Sequence, residues 1–233
     1  TGGFSKQELE EIEQKAISLG VASHAVVDET EAYYNHCLKY LVFGNVLKNA
    51  TYPLSVSAER VFQATAIAEY VQKMGADYVA HGSTGAGNDQ VRFDMIFNIL
   101  IPGVEIITPI RDLKLSREAE IEYLNKHGVE YSAQKAQYSI NKGLWGTSVG
   151  GKETLTSHQT LPESAWPTPV TESQEKRVEL LFEKGELVGI DGQKMSSVAA
   201  IQLLQEMAQP YGIGRDIHVG DTITLDNNRT SEA

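Results

Sequence analysis

The chain has a single cysteine, Cys37, so no disulfide can close within it, and a reducing cytosol is the expected setting. No catalytic pattern surrounds Cys37, which reads as a buried structural thiol. Positive charge is also scarce: 20 Lys and Arg stand against 31 Asp and Glu, a formal net charge of −11. That balance speaks against nucleic acid or a membrane surface as a partner, since both reward a basic face. It leaves room for an anionic small molecule, because a pocket can be locally positive inside an acidic protein. Long apolar runs are missing too. The most apolar region, Ile96 to Ile110, is broken by Asn98, Pro102, Gly103 and Glu105, far short of the ~20 apolar residues of a membrane span. No signal peptide, internal repeat or low-complexity segment is recognisable. The six histidines show no metal-ligand spacing, so no protein-bound metal is expected.

What is present is a core-forming apolar fraction of 41% over 233 residues, enough for one large domain or a domain with a smaller lobe. Ser5-Lys6-Gln7-Glu8 is a capping box, with Leu9, Ile12, Ala16 and Leu19 on one helical face and Gly20 as the stop. Ala25-Val26-Val27 suggests a short buried strand ending at Asp28. A helical pattern with Tyr33, Tyr34, Cys37, Tyr40 and Leu41 runs from Glu29 to about Leu47, and Pro53 forces a fresh start. Ser57 is expected to cap a long helix with Val61, Ala64, Ile67, Val71 and Met74 on its core face. Asp77 to Ala80 and Val104 to Thr108 read as strands, Asn88 to Leu100 and Ser116 to His127 as helices. Strands alternating with helices predict an α/β fold, a parallel sheet flanked by helices. Beyond Ser148 the pattern changes. Gly150 to Thr171 reads as a long polar excursion, Arg177 to Ile190 as a hairpin turning at Glu183-Lys184-Gly185-Glu186, and Ser196 or Ser197 as the cap of a helix carrying Ile201, Leu204 and Met207. A last strand is expected over Asp216 to Leu225.

The chemistry concentrates between the strand at Tyr78 and the helix after Asn88. Gly82, Gly85 and Gly87, with Ser83 and Thr84, make a strand-to-helix loop whose glycines permit close backbone approach to a ligand. The N–H groups and dipole of the following helix N-terminus suit an anion. The loop is not a Walker A motif, because no Lys-Ser or Lys-Thr follows, and its glycine spacing is not the dinucleotide fingerprint. Two readings of its charged end stand side by side. Asp89 can face an ammonium group and Arg92 a carboxylate, or the two can form an ordinary i,i+3 ion pair. Asn88 or Asp89 can cap the helix.

The stretch His81-Gly82-Ser83-Thr84-Gly85-Ala86-Gly87-Asn88-Asp89-Gln90-Val91-Arg92-Phe93 resembles the central motif of the argininosuccinate synthases, of the adenine-nucleotide alpha-hydrolase-like, ATP-pyrophosphatase superfamily. Thr1-Gly2-Gly3-Phe4-Ser5 resembles the segment after that family's second strand; Tyr138-Ser139 and Leu144-Trp145-Gly146-Thr147-Ser148 resemble its two serine segments. The likeness covers most of residues 1–223, and Thr224 to Ala233 stands outside it. It implies a ligase in which ATP adenylylates the ureido oxygen of citrulline, releasing pyrophosphate, and the amine of aspartate then displaces AMP. It implies ATP, with Mg²⁺ on its phosphates, against Gly82, Ser83, Gly85 and Gly87. Aspartate would be held by Thr84, Asn88 and Asp89, and citrulline by Tyr40, Asn88, Arg92, Ser139 and Ser148. No acid–base residue is assigned, because positioning the poorly nucleophilic ureido oxygen against the α-phosphorus carries the activation. His81 is expected to anchor the loop and Trp145 to pack.

The resemblance divides the chain into a nucleotide-binding domain over 1–130 and part of a synthetase lobe over 131–233. It implies a cytoplasmic homotetramer working in arginine biosynthesis. The family's first strand and its Ser-Gly-Gly-x-Asp-Thr pyrophosphate loop would precede Thr1, so the expectation is a fragment with little ligase activity of its own. Two other readings stay open: a non-catalytic module that keeps aspartate or nucleotide affinity, and a different ligase of the same superfamily.

Overall fold

The computed structural model describes residues 1–85, 87–129, 138–156 and 158–217. These residues fall into two compact units, one made of Thr1–Glu59 with the described part of Ser139–His218, the other of the described part of Arg60–Tyr138.

The second unit carries the glycine loop. Helix α4 (Ser55–Met74) starts in the first unit's range, and its body, with strand β1 (Tyr78–Ala80), helix α5 (Asp89–Leu100) and strand β2 (Glu105–Ile107), builds this core. β1 and β2 pair in parallel, Val79 opposite Ile106, as the strand–helix–strand pattern predicts. Ala64, Ala68, Val71, Val79, Phe97 and Ile101 form the buried cluster, with Phe93, Ile96, Val104 and Ile106 packed around it. Of the core face expected on α4, Ala64 and Val71 are buried. Ala66 and Ala68 are buried beside them, while Ile67 and Met74 are exposed. The helix also begins two residues before Ser57, whose hydroxyl donates to the Leu54 carbonyl. The Tyr52 hydroxyl accepts the Val56 and Ser57 N–H groups instead, at 3.1 and 3.2 Å. After β2 come the short helix α6 (Pro109–Asp112) and α7 (Arg117–Lys126), capped by Ser116 as expected.

In the first unit the capping box forms on α1 (Lys6–Ser18): Ser5 accepts from Glu8 N–H, and Glu8 accepts from Ser5 N–H at 2.7 Å. No strand forms at Ala25–Val27; these residues are exposed and irregular, and Asp28 accepts from the backbone N–H of Thr30 at 2.9 Å. The helical pattern that follows divides into α2 (Thr30–Tyr33), a π-helical turn (Tyr34–Leu38) and α3 (Lys39–Phe43), ending at Gly44 rather than Leu47. Tyr33, Tyr34 and Leu38 are its buried hydrophobic residues, and Thr30 is buried as well. Strands β3 (Tyr138–Gly143) and β4 (Gly146–Gly151) pair with each other. The N-terminal segment lies along this pair: Leu144 N–H donates to the Thr1 carbonyl at 2.9 Å, and a side chain at Gly3 would collide with the Lys142 carbonyl.

The polar stretch after Gly151 has short helical turns at Lys152–Leu155 and Glu163–Ala165. Arg215 holds it, donating to both Glu163 carboxylate oxygens at 2.9 Å and lying over the Trp166 ring at 4.5 Å. The hairpin turns where expected, with β5 (Leu180–Glu183) starting three residues late and β6 (Glu186–Ile190) followed by a short β7 (Gln193–Lys194). Helix α8 (Ser197–Ala208), capped by Ser196, packs Ala200, Ile201, Leu204 and Met207 on Leu187 and Ile190. Of the strand expected over Asp216 to Leu225, only Asp216 and Ile217 are described; both are irregular, and the rest lies outside the described residues. No helix among the described residues is long and apolar enough to cross a membrane.

Candidate functional site

The loop between β1 and α5 is fastened at its start by His81. The His81 N–H extends the β1–β2 ladder by donating to the Ile107 carbonyl at 3.1 Å. The ring accepts the Ser83 N–H at Nδ1, 3.3 Å away. Nδ1 is thereby an acceptor, which puts the ring proton on Nε2 in the neutral tautomer. Nε2 then donates to Asp94 Oδ1 at 2.9 Å. The other Asp94 oxygen takes the Arg111 guanidinium. The ring stacks on Phe93, with centroids 5.5 Å apart. His81 is the loop anchor that the sequence suggests.

The glycines behave differently from one another. Gly87 has φ +103°, a conformation that side chains rarely adopt, and Gly82 is exposed with no heavy atom within 4 Å of where a Cβ would sit. The backbone at Gly82 is thus open to a ligand. Gly85 meets only the Arg111 stem, 3.7 Å from its virtual Cβ.

At the far end of the loop Asn88 occupies the N-cap of α5 but makes no side-chain capping bond, so neither expected cap operates; Asp89 is already the first helical residue. The i,i+3 pair is realised. Arg92 Nη1 donates to Asp89 Oδ1 at 2.9 Å, while Arg60 Nε, from α4, donates to Asp89 Oδ2 at 3.1 Å. One carboxylate therefore lies between two guanidinium groups beside the open loop. Thr84 is exposed, and Ser83 and Asn88 are half-buried.

Ser139 and Ser148 lie on the paired strands β3 and β4 of the first unit. Asn141 Nδ2 donates to Ser148 Oγ at 3.5 Å, so Asn141 and Ser148 share a face, and Ser139, two residues before Asn141, points to the same side. Trp145 donates its indole N–H to the Pro53 carbonyl at 3.0 Å, adding a tether to its packing role. Tyr40, on α3, is 57% exposed and packs edge-on against Phe43, with ring centroids 6.1 Å apart.

Three residues escaped the sequence reading. Arg60 and Arg111 come from distant helices, and no local spacing points to them. Gln90 carried a signal: it falls on the same helical stripe as the buried Phe97 and Ile101, a polar residue at a core position.

Both carboxylates flanking the loop, Asp89 and Asp94, are engaged by arginines, and the described residues hold no acidic or histidine cluster of metal-binding size. The open backbone at Gly82 leaves room for a ligand to approach the loop.

Two family models match the chain: "Arginosuccinate synthase N-terminal HUP domain" over residues 2–130 and "Arginosuccinate synthase C-terminal domain" over residues 138–228. The second runs past Ile223, where the resemblance was expected to stop. The HUP match agrees with the α/β architecture and its parallel strand pair. Among curated relatives, the argininosuccinate synthase of Methanocaldococcus jannaschii is 38% identical over 227 residues, covering 95% of this chain and 56% of the relative. That of Dictyoglomus thermophilum is 36% identical over 213 residues, covering 91% and 54%. That of Pyrococcus furiosus is 34% identical over 220 residues, covering 93% and 53%. The chain spans about half the length of the curated relatives it matches.

Proposed function

The chain belongs to the argininosuccinate synthase family, and we propose that it supplies the amino-acid-reading part of a ligase joining citrulline to aspartate. The reaction uses ATP in two steps. The ureido oxygen of citrulline attacks the α-phosphorus and pyrophosphate leaves; the aspartate amine then attacks the ureido carbon, and AMP leaves. In this reading residues 1–130 are the nucleotide-binding domain and 131–233 part of the synthetase lobe, and the whole protein works as a cytoplasmic homotetramer in arginine biosynthesis.

The observation that carries the reading is the charged end of the glycine loop. Asp89 and Arg92 present opposite charges one helical turn apart, the complement of amino-acid substrates that bear both an ammonium and a carboxylate. Asp89 takes the ammonium of aspartate, with Thr84 and Asn88 supplying hydrogen bonds to its polar groups. Arg92 takes the carboxylate of citrulline through charge-assisted bonds, with Asn88 as a second contact. Tyr40, Ser139 and Ser148 are assigned further citrulline contacts by the family resemblance alone. Gly82, Ser83, Gly85 and Gly87 lie against ATP, and Mg²⁺ arrives on the nucleotide, screening phosphate charge.

The test is pyrophosphate release in a coupled assay with citrulline, aspartate and Mg-ATP, run on the whole ligase to which this chain contributes; residues 1–233 alone should show little release. Release that requires citrulline, with Arg92→Ala raising the citrulline requirement, is the expected result. Release indifferent to citrulline, or an Arg92→Ala protein with an unchanged citrulline profile, overturns the assignment in favour of another ligase of the superfamily.

A further inference from the structure

The geometry points to Gln90 as the positioning residue of the glycine loop: we propose that its buried amide holds two loop carbonyls away from the ligand side, so that the loop meets an anionic ligand with N–H groups. This deepens the reading above and rests on it for the identity of the ligands.

Gln90 is in the first turn of α5 and is fully buried. Its Nε2 donates to the Gly85 carbonyl at 2.6 Å and to the Gly87 carbonyl at 3.2 Å. Two carbonyl acceptors fix the amide orientation, because the flipped amide would set its oxygen against both of them. A trans peptide is planar, so a carbonyl held inward directs the next N–H outward. For the Gly87 carbonyl that N–H belongs to Asn88. Gly87 has φ +103°, and a glycine peptide can reorient readily when nothing holds it. Released, the Gly85 and Gly87 oxygens would be free to turn towards phosphate or carboxylate and repel it.

The other end of the amide shows that stability alone does not account for this residue. Gln90 Oε1 is buried with no hydrogen-bond partner. A buried acceptor left without a donor is destabilising, and an apolar side chain of the same shape would avoid that loss. The nitrogen's two bonds to the loop are what the glutamine supplies.

Two variants test this. Gln90→Met keeps the shape and cannot donate. Gln90→Glu can donate one hydrogen when protonated and none when ionised. Calorimetric titration with ATP and with aspartate should show Gln90→Met weakening each by on the order of tenfold, with the melting temperature little changed. For Gln90→Glu, affinity relative to Gln90→Met at the same pH should rise as pH falls from about 8 to about 5, since a carboxyl facing two carbonyls titrates high. That ratio cancels titration of the ligands themselves, and a merely structural role would leave it flat. Backbone NMR relaxation adds a readout without ligand: the Asn88 amide should show conformational-exchange broadening in Gln90→Met that wild type lacks, with the Phe97 amide unchanged. Wild-type affinity in Gln90→Met, a flat ratio, or no added broadening at Asn88 each overturns the proposal. Should Gln90→Met fail to fold, the pH response of Gln90→Glu, referred to wild type, decides in its place. If the wild type binds neither ligand, the functional reading fails, and the relaxation measurement still decides whether Gln90 holds the loop.

Discussion

Arg92 Nη1 lies 2.9 Å from Asp89 Oδ1, while Arg60 Nε holds the other oxygen of the same carboxylate at 3.1 Å. The two groups proposed to read two different amino acids are thus each other's partners. Arg92 cannot give its full bonding to a citrulline carboxylate while it is bound to Asp89. An ammonium arriving at Asp89 competes with Arg92 and releases it. Arg60, whose side chain is only 14% exposed, remains to keep the carboxylate in place.

The consequence is positive coupling between the two amino acids. Citrulline should bind several-fold more tightly in saturating aspartate, and linkage requires the same factor in reverse, within the ~1–3 kcal/mol usual for such couplings. Calorimetry of each ligand with and without the other measures it. Equal dissociation constants in both experiments would remove the exchange of partners from the account.

Gly82 and Gly87 separate binding from folding. Gly87 sits at φ +103°, so Gly87→Ala should destabilise by about 1–3 kcal/mol through backbone strain. A Cβ at Gly82 meets nothing within 4 Å, so Gly82→Ala should leave the denaturation midpoint unmoved. If ATP approaches there, the added methyl group should still weaken ATP binding on the order of tenfold. Denaturant titration and nucleotide calorimetry on the two variants check both halves; a Gly82→Ala protein with wild-type ATP affinity would take the nucleotide away from that residue.

How much of this was legible depended on whether the signal was local. The strand–loop–helix around Gly82 is written in consecutive residues, and β1, α5 and β2 lie where the pattern puts them. The hairpin turn at Lys184-Gly185 was equally plain, with φ of 51° and 89° at its two central residues. Ala25-Val26-Val27 misled because a short apolar run becomes a strand only beside a partner strand, and Val26 and Val27 are 54% and 46% exposed. On α4 the expected face was partly right: Ala64 and Val71 are in the core, while Ile67 and Met74 are not. Ala64 and Ala68 allow close packing in the core and carry little hydrophobic weight. Ser57 looked like a cap, but capping passed to the hydroxyl of Tyr52, which no cap pattern includes. In the site, Asp89 and Arg92 were visible as a pair. Arg60 was not, since it lies 29 residues from Asp89 in the chain.

Asp94 joins the loop anchor to α6, accepting from His81 Nε2 and from Arg111. Its side chain is 24% exposed and that of His81 8%, so loss of the carboxylate leaves a largely buried N–H without its acceptor. Asp94→Ala should cost about 1–3 kcal/mol, and Asp94→Asn less, because the amide oxygen still accepts one bond. A double-mutant cycle with Arg111→Met should show non-additivity, since the pair shares the contact. Additive losses in urea denaturation would mean that Asp94 and Arg111 act independently.

Acid should loosen the entry to α2. Asp28 Oδ1 accepts from both the hydroxyl and the backbone N–H of Thr30, and these bonds hold its carboxyl below the ordinary aspartate range. A carboxyl with a lowered folded-state pKa contributes stability that is complete above the unfolded value of about 3.9 and lost as pH falls through the lower folded value. The Asp28 side chain is well exposed, so solvent screening discounts the contribution to under about 1 kcal/mol. Urea midpoints measured from about pH 6 down to pH 2 should fall more steeply for wild type than for Asp28→Asn, whose amide oxygen accepts the same bonds without titrating. The difference between the proteins should close at the acid end, where the wild-type carboxyl is also neutral. Parallel pH profiles across the whole range would mean that Thr30 is held by its burial and not by the Asp28 carboxylate.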